Sequence, residues 1–267
     1  MIRFRTREIL AGATAIAAMA GSALAADINM TFDNIQGQNV TVNYNGDRGS
    51  TISGQATVAG RFQWSVNSGS AGNFGAGDTM YTFCTEITEY VQQGNSYNYD
   101  EMSLGNLPTP PDNELEPMGG FRAGLMSELY SNHFFEAAGL NGHSFNNQKA
   151  AAFQLAVWEV VYQDADSGNE TSLSSLNDMT LDVTSADGGG FWATGIASAT
   201  QNLANTWLSE LVGNTGVGDG MIGLGSDGNQ DQVTMVPLPA PAMLAAVGLG
   251  GVIIGRKRLQ SGKKRRA

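Results

Sequence analysis

Apolar and polar residues alternate with a period of two through 28–84, then recur with a period near 3.6 from Phe121 onward. The chain therefore reads as strands first and helices after. Ile28-Asn29-Met30-Thr31-Phe32 and Val40-Thr41-Val42-Asn43-Tyr44 each place alternate side chains on one face, and Asn45-Gly46-Asp47-Arg48-Gly49 reads as a turn. Residues 55–59, 62–66 and 79–83 continue the pattern, separated by Gly-Ser-Asn stretches. Residues 92–119 are polar and carry Pro108, Pro110, Pro111 and Pro117, which predicts a long loop. Phe121, Leu125, Leu129 and Phe134 recur at helical spacing, a second helix is predicted over 147–163, and 164–190 is polar and loop-rich. A third helix is predicted over 191–212, with Ile196, Leu203, Trp207, Leu208 and Leu211 on its apolar side. Residues 214–230 read as a Gly/Asp linker, and 231–236 as either a last strand or a spacer. The expected fold class is α+β: an N-terminal antiparallel β-sheet or sandwich-like region, then about three helices packed on it.

Both ends carry transport signals. Arg3, Arg5 and Arg7 precede an apolar, Ala-rich run over 9–20, and Ala23-Leu24-Ala25 is an A-x-A cleavage site. Residues 1–26 thus read as a secretory signal peptide. At the other end, 238–255 contains no charged side chain, and eighteen helical residues span about 27 Å, enough for a thin hydrocarbon core. Arg256, Lys257 and Arg258 follow as a basic stop that stays on the cytoplasmic side. The fold class accordingly includes a C-terminal transmembrane helix.

The order of parts in the tail, Val236-Pro237-Leu238-Pro239-Ala240, then the apolar helix, then the basic cluster, resembles the PEP-CTERM sorting signals of Gram-negative bacteria, in their Val-Pro-Leu-Pro-Ala variant. That resemblance implies recognition and processing of the motif by an exosortase-type enzyme, from a single-pass precursor in the inner membrane. Release to, or attachment at, the cell surface would follow, in a setting of extracellular polysaccharide or biofilm matrix. A plain C-terminal anchor is the other reading of the same residues. The domains expected are a signal peptide (1–26), a secreted α+β domain (27–213), a linker (214–235) and the sorting tail (236–267).

Charge narrows the partners. Between 27 and 235 there are four basic residues, Arg48, Arg61, Arg122 and Lys149, against all of the chain's 25 acidic residues except Glu8. Such an excess repels nucleic acid and anionic lipid and suits a soluble extracellular domain. Cys84 is the one cysteine, so no disulfide forms within the chain.

One pair of residues carries chemistry. The second helix is apolar nearly all round except for Gln154, which shares a stripe with Val157, Trp158 and Val161. An amide buried without partners costs about 1–3 kcal/mol, so something must satisfy it. Cys84 ends the last strand, in Phe83-Cys84-Thr85-Glu86-Ile87. A cysteine thiolate meeting a glutamine amide can expel ammonia and form a thioester, a masked electrophile open to an amine or hydroxyl. Phe83-Cys84 and Gln154-Leu155-Ala156-Val157-Trp158 resemble the two motifs of the thioester domains of bacterial surface adhesins, with Phe153 and Val157 where that family usually has Thr and Ile. The resemblance implies a Cys84–Gln154 bond. Read from the residues alone, Gln154 also fits a backbone hydrogen-bonding role, and Cys84 a core thiol. Glu86 and Glu159 lie near the two motifs and are candidates for proton transfer.

Other signals are thinner. Asp164, Asp166 and Glu170 sit before and after Gly168 like a short calcium loop, but the twelve-residue spacing of an EF-hand is missing, and a solvated loop is the preferred reading. His133 and His143 lack cysteine partners at zinc spacing, so no metal or cofactor is expected beyond that weak calcium candidate. No GxSxG, Walker A or dinucleotide fingerprint occurs, and the chain is not expected to be an enzyme. The function expected is that of an exported, surface-sorted structural or adhesive protein, with a covalent adhesin using Cys84 and Gln154 as the alternative.

Overall fold

The computed structural model describes residues 27–45, 51–108, 117–162, 181–184, 190–213 and 220–236. Eight strands and three helices follow in the order β1 (Asp27–Asn45), β2 (Thr51–Ala71), β3 (Phe74–Gly75), β4 (Thr79–Cys84), β5 (Ser96–Met102), α1 (Gly119–Ala138), α2 (Asn147–Tyr162), β6 (Phe191–Thr194), α3 (Ser198–Ser209), β7 (Met221–Gly225) and β8 (Gln232–Met235). A one-turn 3-10 helix, Leu104–Asn106, precedes α1. The α+β class with an antiparallel sheet and three helices is therefore the observed one. Among the described residues no helix is long and apolar enough to cross a membrane. The expected signal peptide, the 238–255 span, the basic stop and the Asp164, Asp166, Glu170 loop lie outside the described residues.

Several boundaries differ from the sequence reading. The paired short strands at 28–32 and 40–44, and at 55–59 and 62–66, are each one long strand, because β1 and β2 pair with each other along nearly their whole length. The expected loop at 92–119 contains β5, whose edge is claimed by β1 and β7. The expected third helix begins seven residues late: Phe191–Thr194 is instead β6, pairing with Thr41–Tyr44 of β1. Within the expected linker at 214–230, Met221–Gly225 is β7, and Gln232–Met235 after it is β8, so these residues belong to the sheet. Period-two signals this short are overridden by the pairing that tertiary structure offers.

The hydrogen-bonded order closes on itself. β1 pairs with β2, β2 with β4, β4 with β8, β8 with β7, β7 with β5, and β5 with β1, all antiparallel. Closure removes the free edges that an open sheet or sandwich would leave. Trp64 fills the interior, with ring centroids 5.1 Å from Phe32 and 5.5 Å from Tyr99. The far halves of β1 and β2 project as a ribbon, and β6 adds to β1 there.

α2 lies between the sheet and the other helices, touching β1, β2 and β4 on one side and α1 and α3 on the other. Every residue from Ala150 to Tyr162 is buried, which explains the nearly uniform apolar sequence and the absence of a polar face. Asn146 caps its start, its side-chain oxygen accepting the N–H of Gln148 at 2.7 Å. α1 ends at Gly139, whose φ of 66° lies in the left-handed region that favours glycine. Arg61 of β2 ties sheet to helix: its guanidinium donates to the Ala138 carbonyl and to Gln36, and lies 3.8 Å from the Phe145 ring centroid and 4.1 Å from that of Tyr81.

Gly37 of β1 and Gly60 of β2 face each other in register. A Cβ at Gly37 would lie 2.6 Å from the Gly60 Cα, and one at Gly60 would lie 2.7 Å from the Gly37 Cα, so backbone fills both side-chain positions. Gly60→Ala is expected to cost about 1–3 kcal/mol, the range for forced overpacking. Equilibrium denaturation checks this, and an unchanged midpoint would mean that the strands are not this close.

Candidate functional site

β2 pairs with β4 from Ser65↔Thr79 to Phe62↔Thr82 and no further. The next edge of β4, at Cys84, is left to another partner, and Gln154 of α2 takes it. The Cys84 N–H donates to Gln154 Oε1 at 3.1 Å, and Gln154 Nε2 donates to the Cys84 carbonyl at 2.7 Å. The two contacts also fix which end of the amide is which, since only the NH₂ can face a carbonyl. The preceding residues on both elements form a ring pair, Phe83 and Phe153, with centroids 4.6 Å apart. That pair locks the register of α2 on β4 and occupies the position where a Thr stands in the adhesin motif.

Both residues are fully buried, with 0% exposure. Cys84 Sγ stands 3.7 Å from Gln154 Oε1. The thiol donates to the Glu86 carbonyl at 3.4 Å, and Gln230 Nε2 donates to Sγ at 3.8 Å. Burial pushes the thiol's pKa well up and the Glu86 charge pushes it further. The Trp158 indole N–H acts the other way, although it falls short of a full hydrogen bond. The Cys84 thiol is thus protonated at neutral pH, and its carbonyl target is polarised by the N–H of the same residue. Gln154, not Gln230, presents a carbonyl to the sulfur's surroundings; Gln230 turns its NH₂ there.

Carboxylates crowd the next shell. Glu86 is pushed up to about 8, mainly by burial and then by Asp231, even though its Oε2 accepts the Asp231 N–H at 2.9 Å. Asp231 is pushed up to about 7, again mainly by burial, while its Oδ1 accepts the Ser226 N–H. Glu159, the other candidate for proton transfer, is engaged elsewhere. Its Oε1 accepts the Asp182 N–H at 3.0 Å, its Oε2 has no partner, and burial holds it protonated. Of the two carboxylates only Glu86 is shown interacting with the thiol.

The remaining sequence candidates are placed as follows. Val236, first residue of the expected sorting motif, is described: its N–H donates to the Gly220 carbonyl at 2.7 Å, directly after β8. Pro237, Leu238, Pro239 and Ala240 lie outside the described residues. His133 stacks on Trp207 with centroids 4.8 Å apart and meets Glu210 at 3.0 Å. Among the described residues no group of three His, Cys, Asp or Glu side chains is arranged to hold a metal ion. Sequence reasoning misses Gln230, which it places in the Gly/Asp linker, and gives Asp231 and Gln232 no role beyond a last strand or spacer; the alternation Gln232-Val233-Thr234-Met235 is the available signal for the strand.

No protein-family model matches the chain, and no curated protein matches it. A solved structure of similar shape is the N-terminal thioester domain of fibronectin-binding protein SfbI from Streptococcus pyogenes. The likeness is distant, with a TM-score of 0.34 and 13% identity, and covers 75% of this chain and 93% of that one.

The raised carboxyl groups predict a pH dependence. Glu86 and Asp231 keep protons in the folded state up to about pH 8 and about pH 7, whereas their ordinary values are 4.5 and 3.8. Across that interval the folded state binds more protons, so stability falls as pH rises. The opposing contribution of His133, whose pKa burial lowers, is complete by its ordinary value of 6.5. The melting temperature is therefore expected to fall between about pH 6.5 and pH 8.5, and to fall less in Glu86→Gln. A profile flat over that interval would place these carboxyls in water.

Proposed function

We propose that this chain is an exported, surface-sorted protein that attaches covalently to a target through an internal thioester between Cys84 and Gln154. The observation that carries the reading is the clamp itself: a fully buried glutamine amide held on the backbone of a fully buried cysteine, with Sγ 3.7 Å from its oxygen. A merely structural glutamine needs only the two hydrogen bonds; this one also stands beside a nucleophile.

Formation would run as an acyl transfer. The thiol gives up its proton, Sγ attacks the Gln154 side-chain carbonyl carbon, and the carbonyl oxygen takes the developing negative charge opposite the Cys84 N–H. The C–N bond then breaks, and the amide NH₂ leaves as ammonia with the proton the thiol gave up. An amine or hydroxyl of a target surface later displaces the sulfur, forming an amide or ester on Gln154 and returning a proton to Cys84. Water exclusion by the surrounding core preserves the bond until then.

Export, processing by an exosortase-type enzyme and a place in extracellular matrix rest on the two terminal signals. An alternative is a matrix scaffold with Cys84 as an inert core thiol, which the thiol's burial and raised pKa favour.

Intact mass decides between them. The thioester predicts a purified chain about 17 Da light, for lost ammonia, that gains about 31 Da with methylamine. Cys84→Ala and Gln154→Ala are each expected to abolish both changes and all target coupling. A full mass with one thiol alkylated in denaturant, without prior amine, establishes the scaffold instead.

A further inference from the structure

Cys84 Sγ touches a second glutamine. Gln230, 6% exposed, sits at the start of the turn into β8 and points its side-chain NH₂ at two acceptors, the Glu86 carbonyl at 3.1 Å and Cys84 Sγ at 3.8 Å. The carbonyl contact fixes the amide's orientation, and the NH₂ has two hydrogens, one for each acceptor. The residue is held from both sides: Gln232 Nε2 donates to its carbonyl at 3.3 Å, and the next N–H, of Asp231, is bound by Glu86 Oε2. From α2, the indole N–H of Trp158 is buried without a hydrogen-bond partner and favours a negative sulfur.

We propose that Gln230 is a catalytic residue of the Cys84–Gln154 site, its amide N–H stabilising the sulfur as leaving group when a nucleophile opens the thioester. The role rests on the thioester reading. In the opening step an amine nitrogen bonds to the Gln154 carbonyl carbon, the C–S bond breaks, its electron pair stays on Sγ, and the proton lost by the amine ends on that sulfur. Before the proton arrives, the sulfur is a buried anion beside Glu86. Burial disfavours it, so a donor at the sulfur lowers the barrier. Gln230 bonds the Glu86 carbonyl with one hydrogen, so its second serves no structural need other than the sulfur.

The experiment compares the full-length chain with Gln230→Met, which keeps side-chain length and removes the donor. Intact mass should show the same deficit of about 17 Da in both, and opening by methylamine at fixed pH should be about tenfold slower in the variant, the effect of one hydrogen bond to a charged group. Iodoacetamide alkylation of the released thiol should slow in parallel, because less thiolate is present. A structural role gives the opposite sign, since a loosened cover would speed both reactions. If Gln230→Met fails to fold, Gln230→Asn, whose amide is one methylene short of the sulfur, takes its place with the same readouts. Equal or faster opening in a variant that carries the deficit overturns the role of Gln230 alone. A full mass in the parent chain overturns the thioester, and this role with it.

Discussion

A single side-chain amide sets the relation between helix and sheet. Gln154 is the only hydrogen-bonding side chain between Lys149 and Trp158, in a helix buried on all sides, and both of its polar atoms end on the backbone of Cys84. Leaving either atom unmatched costs about 1–3 kcal/mol, a large fraction of a domain's net stability. A slip of α2 by one residue along β4 would also part Phe83 from Phe153. The amide and the ring pair together allow one register. That register requires an open edge on β4, which exists because β2–β4 pairing ends at Phe62↔Thr82.

From the sulfur the polar contacts continue into the sheet without a break. Gln230 donates to Sγ, Gln232 donates to the Gln230 carbonyl, Thr82 donates to Gln232 Oε1 at 2.6 Å, and Trp64 Nε1 donates to Thr82 at 2.9 Å. The Gln230 link runs through its main-chain carbonyl, and the Gln232 amide is oriented by that acceptor on one side and by the Thr82 hydroxyl on the other. The buried polar residues of β4 and β8 are therefore not scattered exceptions to an apolar core. They run from the central Trp64 to the one nucleophile, and a fully matched network of this kind specifies a single arrangement where an apolar core would tolerate several.

Much of this was legible in the sequence, and the reasons for the rest are physical. α1 and α2 follow from long 3.6-period runs, and Gln154 stood out because one amide interrupted an apolar helix. Cys84 and Gln154 were paired by motif resemblance, seventy residues apart, where spacing alone says nothing. Closure of the sheet was not legible: strands β5, β7 and β8 are four to seven residues long, with Gly223 and Gly225 inside β7, and their pairing is decided by neighbours from the other end of the chain. Gln230 was missed for the same reason. Its Gly-Asp-Asn surroundings, 226–231, describe a turn equally well in a linker and between two sheet strands, and only β7 and β8 on either side make it a turn that covers a thiol.

The position of β8 joins the site to the terminal signal. Gln232 pairs with Cys84 across β4–β8, and four residues later Val236 leaves the sheet as the first residue of the proposed sorting motif. In a chain held at its C-terminal end, as proposed, any pull on the anchor enters β8 and passes to β4 on one side and β7 on the other. A covalent target on Gln154 would pull instead on α2, which is clamped to β4 at the same residue. The two loads then meet within a few residues of Cys84 instead of crossing the whole core. The described part of the fold that lies between target and anchor is short, antiparallel and closed, and long separation of strands is not needed to keep the two ends connected. Thr82 of β4 and Gln232 and Thr234 of β8 are the buried polar residues on these two strands. Apolar packing is non-directional, whereas matched hydrogen bonds resist sliding of one strand past another.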